Sequence, residues 1–500
     1  MATVDGFSID VPAVLGIAAS ATGLTATGST VAGELGSAVL DGVSFAGIGL
    51  TVAGINAALQ RQTTAALDQL MRLLGQTIGS VDTAANGYSE LDSWIAAQLG
   101  GGGAASPAGS ATGSTDATYQ ALRGARTPAE VQRQWQALTA AQQQQLIAAH
   151  PRELGALNGI PAPARDQANR SVLGSLTQQA RDRVSSAESD LHAAAIRGDD
   201  FAAEAAYSRL AAEQKNVASL QAVQTVLNDQ SASHYLLGID TNDGGRWIVA
   251  AGNPDTAQHV LTLVPGIRNS LEAPTVANLG MDANNILTAA RNAAPGESTS
   301  VISWVGYHSP TLTQAIDPSY AQSGAGALQS FQQGLYATHD TATPFTSVVA
   351  AHSYGTVLTA DAAQAPGGLR TDAIALLDSP GVPAPNAAAL GVGHVFASAT
   401  SNDGVVGVSD FFGSLGANEY HANAMQIGAP LIANPQDQGF HGIDPFTTSF
   451  GATRFDSGTG HPGLLGVLAA HSDVFNPAYP GLGNLGQIAV GHYGSITAPK

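Results

Sequence analysis

The spacing of hydrophobic positions along the chain changes near residue 233. Before this point apolar residues recur at helical intervals, and one such stripe consists of Ile55, Leu59, Leu67, Leu70, Leu73, Leu74 and Ile78. After it come short continuous apolar runs, among them "RWIVAAG", "HVLTLVPG", "STSVISWVGY" and "TSVVAAHS". Continuous runs are typical of strands buried on both faces of a sheet, and helical stretches lie between the later ones. This order predicts a mostly parallel α/β sheet.

Composition divides the chain into four regions. Residues 1–98 are rich in Ala and predict two helices joined by a turn in "LDGVSFAGIG". Residues 99–118 form a linker of mostly Gly, Ser and Ala, residues 119–232 are a second helical region, and residues 233–500 hold the predicted sheet. Because a two-helix hairpin cannot bury both its faces, we expect the first region to pack against a partner helix or domain.

Charge and composition exclude several classes of function. The chain has 19 basic and 38 acidic residues, and its formal net charge of −19 disfavours binding to nucleic acid or to anionic lipid. It has no cysteine, so disulfides, thiolate metal sites and a cysteine nucleophile are excluded. The N-terminus lacks the basic start of a conventional signal peptide. The most apolar stretch, residues 43–59, is interrupted by Gly, Thr and Asn, so we predict no membrane-spanning helix.

The stretch "TSVVAAHSYGTVLTADAA" combines a predicted strand, a turn and the start of a helix. The turn Ala351-His352-Ser353-Tyr354-Gly355 has the small-x-Ser-x-Gly form of a nucleophile elbow. Small residues are needed because strand and helix approach closely there, and the strained turn places the serine hydroxyl at the edge of the sheet. Ser353 is therefore the predicted nucleophile, with a structural serine as the alternative. We expect the His352 side chain to point away from it.

An acid and then a histidine should follow the nucleophile along the chain. Asp378 ends the first strand after the elbow and Asp403 ends the second. We favour Asp403, because the acid of such a site usually follows the second strand; Asp378 is the alternative acid, or it caps the turn that follows it. His471 precedes the predicted last helix and is the favoured base, with His461 as the alternative.

Two backbone N–H groups are predicted to stabilise an oxyanion. One belongs to Tyr354, directly after the nucleophile, and the other to Ile267 or Gly266 in the turn after "HVLTLV". An ordinary Pro-Gly turn is the alternative for the second.

"GLGNLG" at 481–486 has dinucleotide-loop spacing but follows no predicted strand, and "HGID" at 441–444 offers only two metal ligands. We predict no cofactor and no metal.

With these motifs in order, residues 119–495 resemble an actinobacterial α/β-hydrolase family that was long catalogued as a domain of unknown function. The similarity lies in "WQALTAAQQQQLIAAHPRELGALNGIPAPARDQANR", "VPGI", "WVGYHSP", "HSYGT", "LDSPGV", "HGIDPF" and "HSDVFNP". The resemblance implies an α/β-hydrolase fold with Ser353, Asp403 and His471 as the catalytic triad. Two positions depart from the family pattern: Ala351 stands at the usual Gly, and Asp378 at a usual small residue.

The N-terminal hairpin resembles the helical-hairpin substrates of type VII secretion. Residues 45–47, Phe-Ala-Gly, occupy the turn where that family has Trp-x-Gly, and Tyr88 and Asp92 fit its Tyr-x-x-x-Asp/Glu export signal. Residues at i and i+4 share one helical face, where a secretion machine could read both; an incidental surface pair is the alternative. The resemblance implies export to the cell envelope or beyond without a signal peptide, with a cytoplasmic location as the alternative.

Together these features predict a serine hydrolase that cleaves an ester-like bond through a Ser-His-Asp triad and an acyl-enzyme. The expected substrate is a small-molecule or lipid ester, with an amide as the nearest alternative. A second hypothesis is a catalytically silent hydrolase fold that binds a helical-hairpin partner protein. A third is an exported effector that keeps its hydrolase activity.

Overall fold

The computed structural model describes residues 109–311, 314–315, 317–340, 342, 345–401, 438–439, 441–461 and 470–499. The predicted N-terminal hairpin, with Tyr88 and Asp92, lies outside these residues, and so does Asp403. The chain divides into two compact units at Gly109, within the predicted linker. The second unit, Ser110–Lys500, is described below.

Six helices precede the sheet in the described part of the chain. They are α1 (Gly109–Arg123), α2 (Pro128–Gln136), α3 (Ala140–Ala149), α4 (Pro151–Ala156), α5 (Ala162–Arg197) and α6 (Asp200–Leu227). The linker predicted over 99–118 therefore differs from the structure at its end, where residues 109–118 are helical. Thr139 begins α3 with a capping box to Gln142, and α5 ends at Gly198, whose φ of 64° suits a residue without a Cβ. Helices α5 and α6 pack against each other as a long hairpin.

Eight strands form the main sheet, in the order β1-β2-β4-β3-β5-β6-β7-β10. The strands are β1 (His234–Asp240), β2 (Arg246–Ala251), β3 (His259–Val264), β4 (Thr299–Val305), β5 (Thr346–His352), β6 (Ala373–Leu377), β7 (His394–Ser398) and β10 (Thr453–Arg454), and the pair β8 (Gln438–Gly439) and β9 (Gly442–Ile443) is separate. Strand β2 is antiparallel to β1 and β4, and every other pair in the main sheet is parallel. The prediction of a mostly parallel α/β sheet is confirmed.

The core lies on both faces of this sheet. Alternate side chains of a strand point to opposite faces, so Val348 and Ala350 of β5 join one apolar cluster while Val349 and Ala351 join the other. The first cluster includes helices α7 (Ala273–Ala293) and α10 (Pro480–Ala489), and the second includes α8 (Ser319–Thr338) and α9 (Gly355–Gln364). Burial on both faces explains why β3 to β6 are continuous apolar runs in the sequence.

The parallel strands β3, β5 and β6 end at the same edge of the sheet, and the loops that follow them are therefore neighbours. Short 3₁₀ turns at Ala387–Leu390, Thr448–Phe450, Asp473–Phe475 and Tyr493–Ser495 complete the regular structure of the described residues. Among those residues, no helix has both the length and the apolar content needed to cross a bilayer.

Candidate active site

The turn between β5 and α9 has the geometry of a nucleophile elbow. Ser353 has a φ of 55°, a left-handed conformation that is uncommon for a residue with a side chain. Its N–H donates to the Leu377 carbonyl of β6 at 2.9 Å, which holds the strained turn against the neighbouring strand. A Cβ on Gly355 would lie 2.4 Å from the carbonyl oxygen of Val264, so the helix can start here only because residue 355 is glycine. Sequence and geometry agree on this element.

The loop after β3 passes directly against the serine. A Cβ on Gly266 would lie 2.6 Å from the Ser353 Cβ and 3.0 Å from its Oγ, so this close approach also requires glycine. Three side chains hold the loop through the Gly266 carbonyl: the hydroxyl of Tyr307 donates to it at 2.9 Å, that of Ser309 at 2.7 Å and the amide of Asn269 at 3.1 Å. The loop backbone is thus fixed at the edge of the elbow.

Backbone donors are available next to Ser353. Among the described residues, the N–H groups of Tyr354 and Ile267 have no hydrogen-bond acceptor. The Tyr354 side chain is buried and anchored separately, since its hydroxyl donates to the Asp317 carbonyl at 2.7 Å and accepts from the Ala321 N–H at 3.3 Å. Preorganised, unengaged N–H groups beside a nucleophile are what stabilisation of an oxyanion needs.

His471 lies in the same cavity as Ser353. This cavity, here called the serine cavity, has a volume of about 230 Å³ and is also lined by Gly266, Ile267 and His352. The Nε2 of His352 lies 2.6 Å from the backbone carbonyl oxygen of His471 and must be the donor, because a carbonyl can only accept. The two rings have centroids 4.7 Å apart. His352 thus lines the cavity and anchors the backbone of His471, a role that the sequence analysis did not predict.

The alternative base has a different environment. The Nδ1 of His461 lies 2.6 Å from the Asp473 carboxylate, and the His461 N–H donates to the same group at 2.6 Å. Asp473 is buried, whereas the His461 ring is half-exposed and does not line the serine cavity. The structure thus brings His471, rather than His461, into the cavity of Ser353.

Of the two candidate acids, only Asp378 belongs to the described residues. It is fully buried directly after β6, has a φ of 46°, and its carboxylate accepts hydrogen bonds from the Thr400 N–H at 2.7 Å and the Thr400 hydroxyl at 3.3 Å. It therefore ties the end of β6 to the segment after β7, instead of capping only its own turn as the sequence suggests. It does not line the serine cavity.

The "HGID" segment consists of the buried His441, the strand β9 and the half-buried Asp444. Burial lowers the pKa of His441 to about 4, so its ring is neutral near pH 7, and it packs edge-on against Tyr354 with ring centroids 5.2 Å apart. Asp444 accepts a hydrogen bond from the Phe446 N–H at 2.9 Å, as in a turn. Within the described ranges, no three His, Asp or Glu side chains are grouped so that they could hold a metal ion.

Polar residues on helix α7 are a part of the site that sequence analysis missed. Thr275, Asn278 and Asp282 line the serine cavity, and burial raises the pKa of Asp282 to about 7. Their spacing of i, i+3 and i+7 is visible in the sequence, but the same spacing is typical of a solvent-facing helix. Only the position of α7 next to the loop after β3 shows that these side chains face a cavity.

Comparisons with known proteins agree with this architecture. A family model described as "Alpha/beta hydrolase" matches residues 240–412, which include the loop after β3, the elbow and Asp378. The fold is that of an α/β-hydrolase. A solved structure with some likeness is a hyperthermophilic esterase from the archaeon Pyrobaculum calidifontis, with a TM-score of 0.28 and 10% sequence identity, over 55% of this chain and 90% of that chain.

Two curated relatives are from Mycobacterium tuberculosis. The uncharacterised proteins MT2140 (strain CDC 1551 / Oshkosh) and Rv2079 (strain ATCC 25618 / H37Rv) are each 31% identical to this chain over 379 residues, which is 73% of this chain. The chain spans about half the length of these relatives, since the match covers 55% of each of them. Together with the α/β-hydrolase match, they support an actinobacterial hydrolase family.

Proposed function

We propose that this protein is a serine hydrolase that cleaves an ester bond through an acyl-enzyme. The observation that carries the proposal is the convergence in one cavity of the strained Ser353, His471 and Ile267, whose backbone N–H is unengaged, with a second unengaged N–H on the residue after the serine. Ser353 keeps a side chain at a φ of 55°, where glycine would be unstrained. Residues held in such strained conformations cluster at functional sites.

In the proposed reaction, the Ser353 Oγ attacks the ester carbonyl carbon while His471 takes the hydroxyl proton. The N–H groups of Tyr354 and Ile267 stabilise the negative oxygen of the tetrahedral intermediate. Its collapse breaks the bond to the leaving oxygen, which takes the proton from His471 and departs as an alcohol. His471 then removes a proton from water as the water oxygen attacks the acyl-serine carbonyl. When the bond to Oγ breaks, His471 returns this proton to Ser353 and a carboxylic acid leaves.

The acid that orients His471 is proposed from the sequence. Asp403 follows β7, the second strand after the elbow, and is our proposed third member of the triad. The alternative acid, Asp378, already accepts two hydrogen bonds from Thr400, which supports a structural role for it. An ester is proposed ahead of an amide because an alkoxide leaves more readily than an amine nitrogen.

The test is labelling of the purified protein with a fluorophosphonate, which reacts covalently with activated serines. We expect the wild type to be labelled and Ser353→Ala to be unlabelled, with hydrolysis of p-nitrophenyl acetate reduced by roughly 10⁴-fold or more. Ser472→Ala is the matched control, because Ser472 lines the same cavity. Folded wild-type protein that is neither labelled nor active would support the silent-fold hypothesis instead.

The proposals for the first 98 residues rest on the sequence alone. Export by type VII secretion with Tyr88 and Asp92 as the signal, and a helical-hairpin partner, stay predictions.

A further inference from the structure

One wall of the serine cavity is polar and comes from helix α7. Thr275, Asn278 and Asp282 lie at i, i+3 and i+7, so they share one face of the helix, and all three line the cavity together with Ser353. Leu279, which follows Asn278 on the same helix, also lines the cavity and is the apolar residue of this wall. The cavity thus presents hydroxyl, amide and carboxyl groups to whatever binds beside the serine.

These three side chains have no hydrogen-bond partner in the part of the chain that the structure describes. By contrast, the Asn269 side chain, which lines the same cavity, donates to the carbonyl oxygens of Gly266 at 3.1 Å and Ile267 at 2.9 Å. Asn269 is therefore used to hold the loop, whereas the α7 groups are left for a ligand. Thr275 and Asp282 are half-buried while Asn278 is exposed, and a half-buried polar group without a protein partner is stabilised when a ligand supplies one.

The cavity also limits the size of the ligand. Its volume of about 230 Å³ lies below the roughly 300–1,000 Å³ of pockets that enclose drug-sized ligands. The α7 wall offers one leucine among three polar side chains, whereas the other apolar lining residues, Leu263, Pro265, Ile267 and Phe475, come from other parts of the cavity. A short group that carries hydroxyls would satisfy both the volume and the polar wall.

We propose that the substrate is a short ester that carries a hydroxyl group near the scissile bond, and that Asp282 is the residue that recognises this hydroxyl. The Asp282 carboxyl accepts a hydrogen bond from the substrate hydroxyl, with Asn278 and Thr275 as additional polar contacts. Because the carboxyl is half-buried and water is largely displaced, this bond discriminates against an alkyl group at the same position. The inference rests on the proposed serine hydrolase activity and specifies its substrate class.

The test uses two matched pairs of esters. In the first pair, glyceryl monobutyrate carries hydroxyls on the alcohol side and n-propyl butyrate does not. In the second pair, methyl 3-hydroxybutyrate carries a hydroxyl on the acyl side and methyl butyrate does not. We expect the wild type to prefer the hydroxylated member of at least one pair by roughly tenfold or more in kcat/KM. Equal rates within both pairs, or a preference for the unsubstituted members, would overturn the proposal.

Variants of α7 assign the preference to Asp282. Asp282→Leu should remove the preference, mainly through a higher KM for the hydroxylated ester, so that kcat/KM becomes about equal within the pair. Asp282→Asn keeps a polar group of the same shape and should retain part of the preference. Thr288→Val, an exposed polar-to-apolar change on the same helix outside the cavity, is the control and should change nothing.

Failure of this inference can be told apart from failure of the proposed function. If Ser353 is labelled by the fluorophosphonate and all four esters are cleaved without preference, the hydrolase proposal stands and the role of Asp282 is wrong. If neither labelling nor hydrolysis occurs, the hydrolase proposal itself fails. If Asp282→Leu does not fold, the wild-type preference and the smaller preference expected of Asp282→Asn still test the role of Asp282.

Discussion

Two cavities of this fold differ in how their polar groups are used. The serine cavity has a volume of about 230 Å³, and a second cavity of about 350 Å³, here called the tryptophan cavity, is lined by Trp247, Trp304 and Phe331. The charged groups of the tryptophan cavity are already engaged by the protein. Asp240 pairs with Arg246, and Arg165 donates to the carbonyl oxygens of Gly155 and Leu237 and to the Asn158 side chain.

In the serine cavity, by contrast, backbone N–H groups and the α7 side chains have no acceptor or donor among the described residues. The charged groups of the larger cavity thus maintain the fold, although the buried Nε1 atoms of Trp247 and Trp304 have no partner there. Among the carboxylate and guanidinium groups that line the two cavities, Asp282 of the serine cavity is the one without a protein partner in the described residues, and it lies in the cavity of the strained serine.

The largest effect that this comparison predicts is on the base. His471→Ala should lower kcat by roughly 10⁴- to 10⁶-fold with little change in melting temperature, because His471 lines the serine cavity and is the proposed acceptor of the serine proton. His461→Ala is the matched control: its ring is half-exposed and bound to Asp473, so we expect a small stability loss and near-normal kcat. Steady-state kinetics of both variants show which histidine is the base. A large loss of kcat in His461→Ala with near-normal kcat in His471→Ala would identify His461.

A smaller loss is expected from the loop after β3. In Gly266→Ala, the new methyl group would lie 2.6 Å from the Ser353 Cβ, so the loop and its N–H group must shift away from the oxyanion. We expect kcat to fall by roughly 10²- to 10³-fold while the protein stays folded. Gly483→Ala has open space around the added methyl and should leave kcat unchanged. An active Gly266→Ala enzyme would remove this loop from the oxyanion site.

The smallest effect on activity is predicted for the tryptophan cavity. Arg165→Met removes the side-chain donor of the Leu237 carbonyl oxygen and one of the two donors of the Gly155 carbonyl oxygen, which keeps Asn169, so we expect the free energy of unfolding to fall by about 1–3 kcal/mol. The value of kcat/KM should stay within about twofold of the wild type. Arg183→Met, which removes an exposed ion pair with Glu213, should cost less than about 1 kcal/mol. Loss of activity in a folded Arg165→Met protein would make the larger cavity functional as well.

The elbow and the sheet could be predicted because their signals are local. The buried run of β5, the serine turn and the start of α9 are contiguous in sequence, and continuous apolar runs identify doubly buried strands. The contact between His352 and His471 could not be predicted, because the two residues are 119 positions apart in the sequence. The hydrogen bond between Asp378 and Thr400 could not be predicted either, because it joins the end of β6 to the segment after β7. Contacts of this kind depend on tertiary packing, which no local spacing encodes.

The way in which His352 holds His471 has a consequence for how the protein becomes active. The helices α5 and α6 are sequence neighbours and can pair early, whereas the contact between the elbow and His471, the proposed base, joins residues 119 positions apart, and contacts between distant residues form slowly. A chain still on the ribosome therefore carries the serine turn without its proposed base until residues 470–475 have been synthesised and packed. With the proposed pair of Ser353 and His471, recovered activity would report completed topology and not merely regained helix.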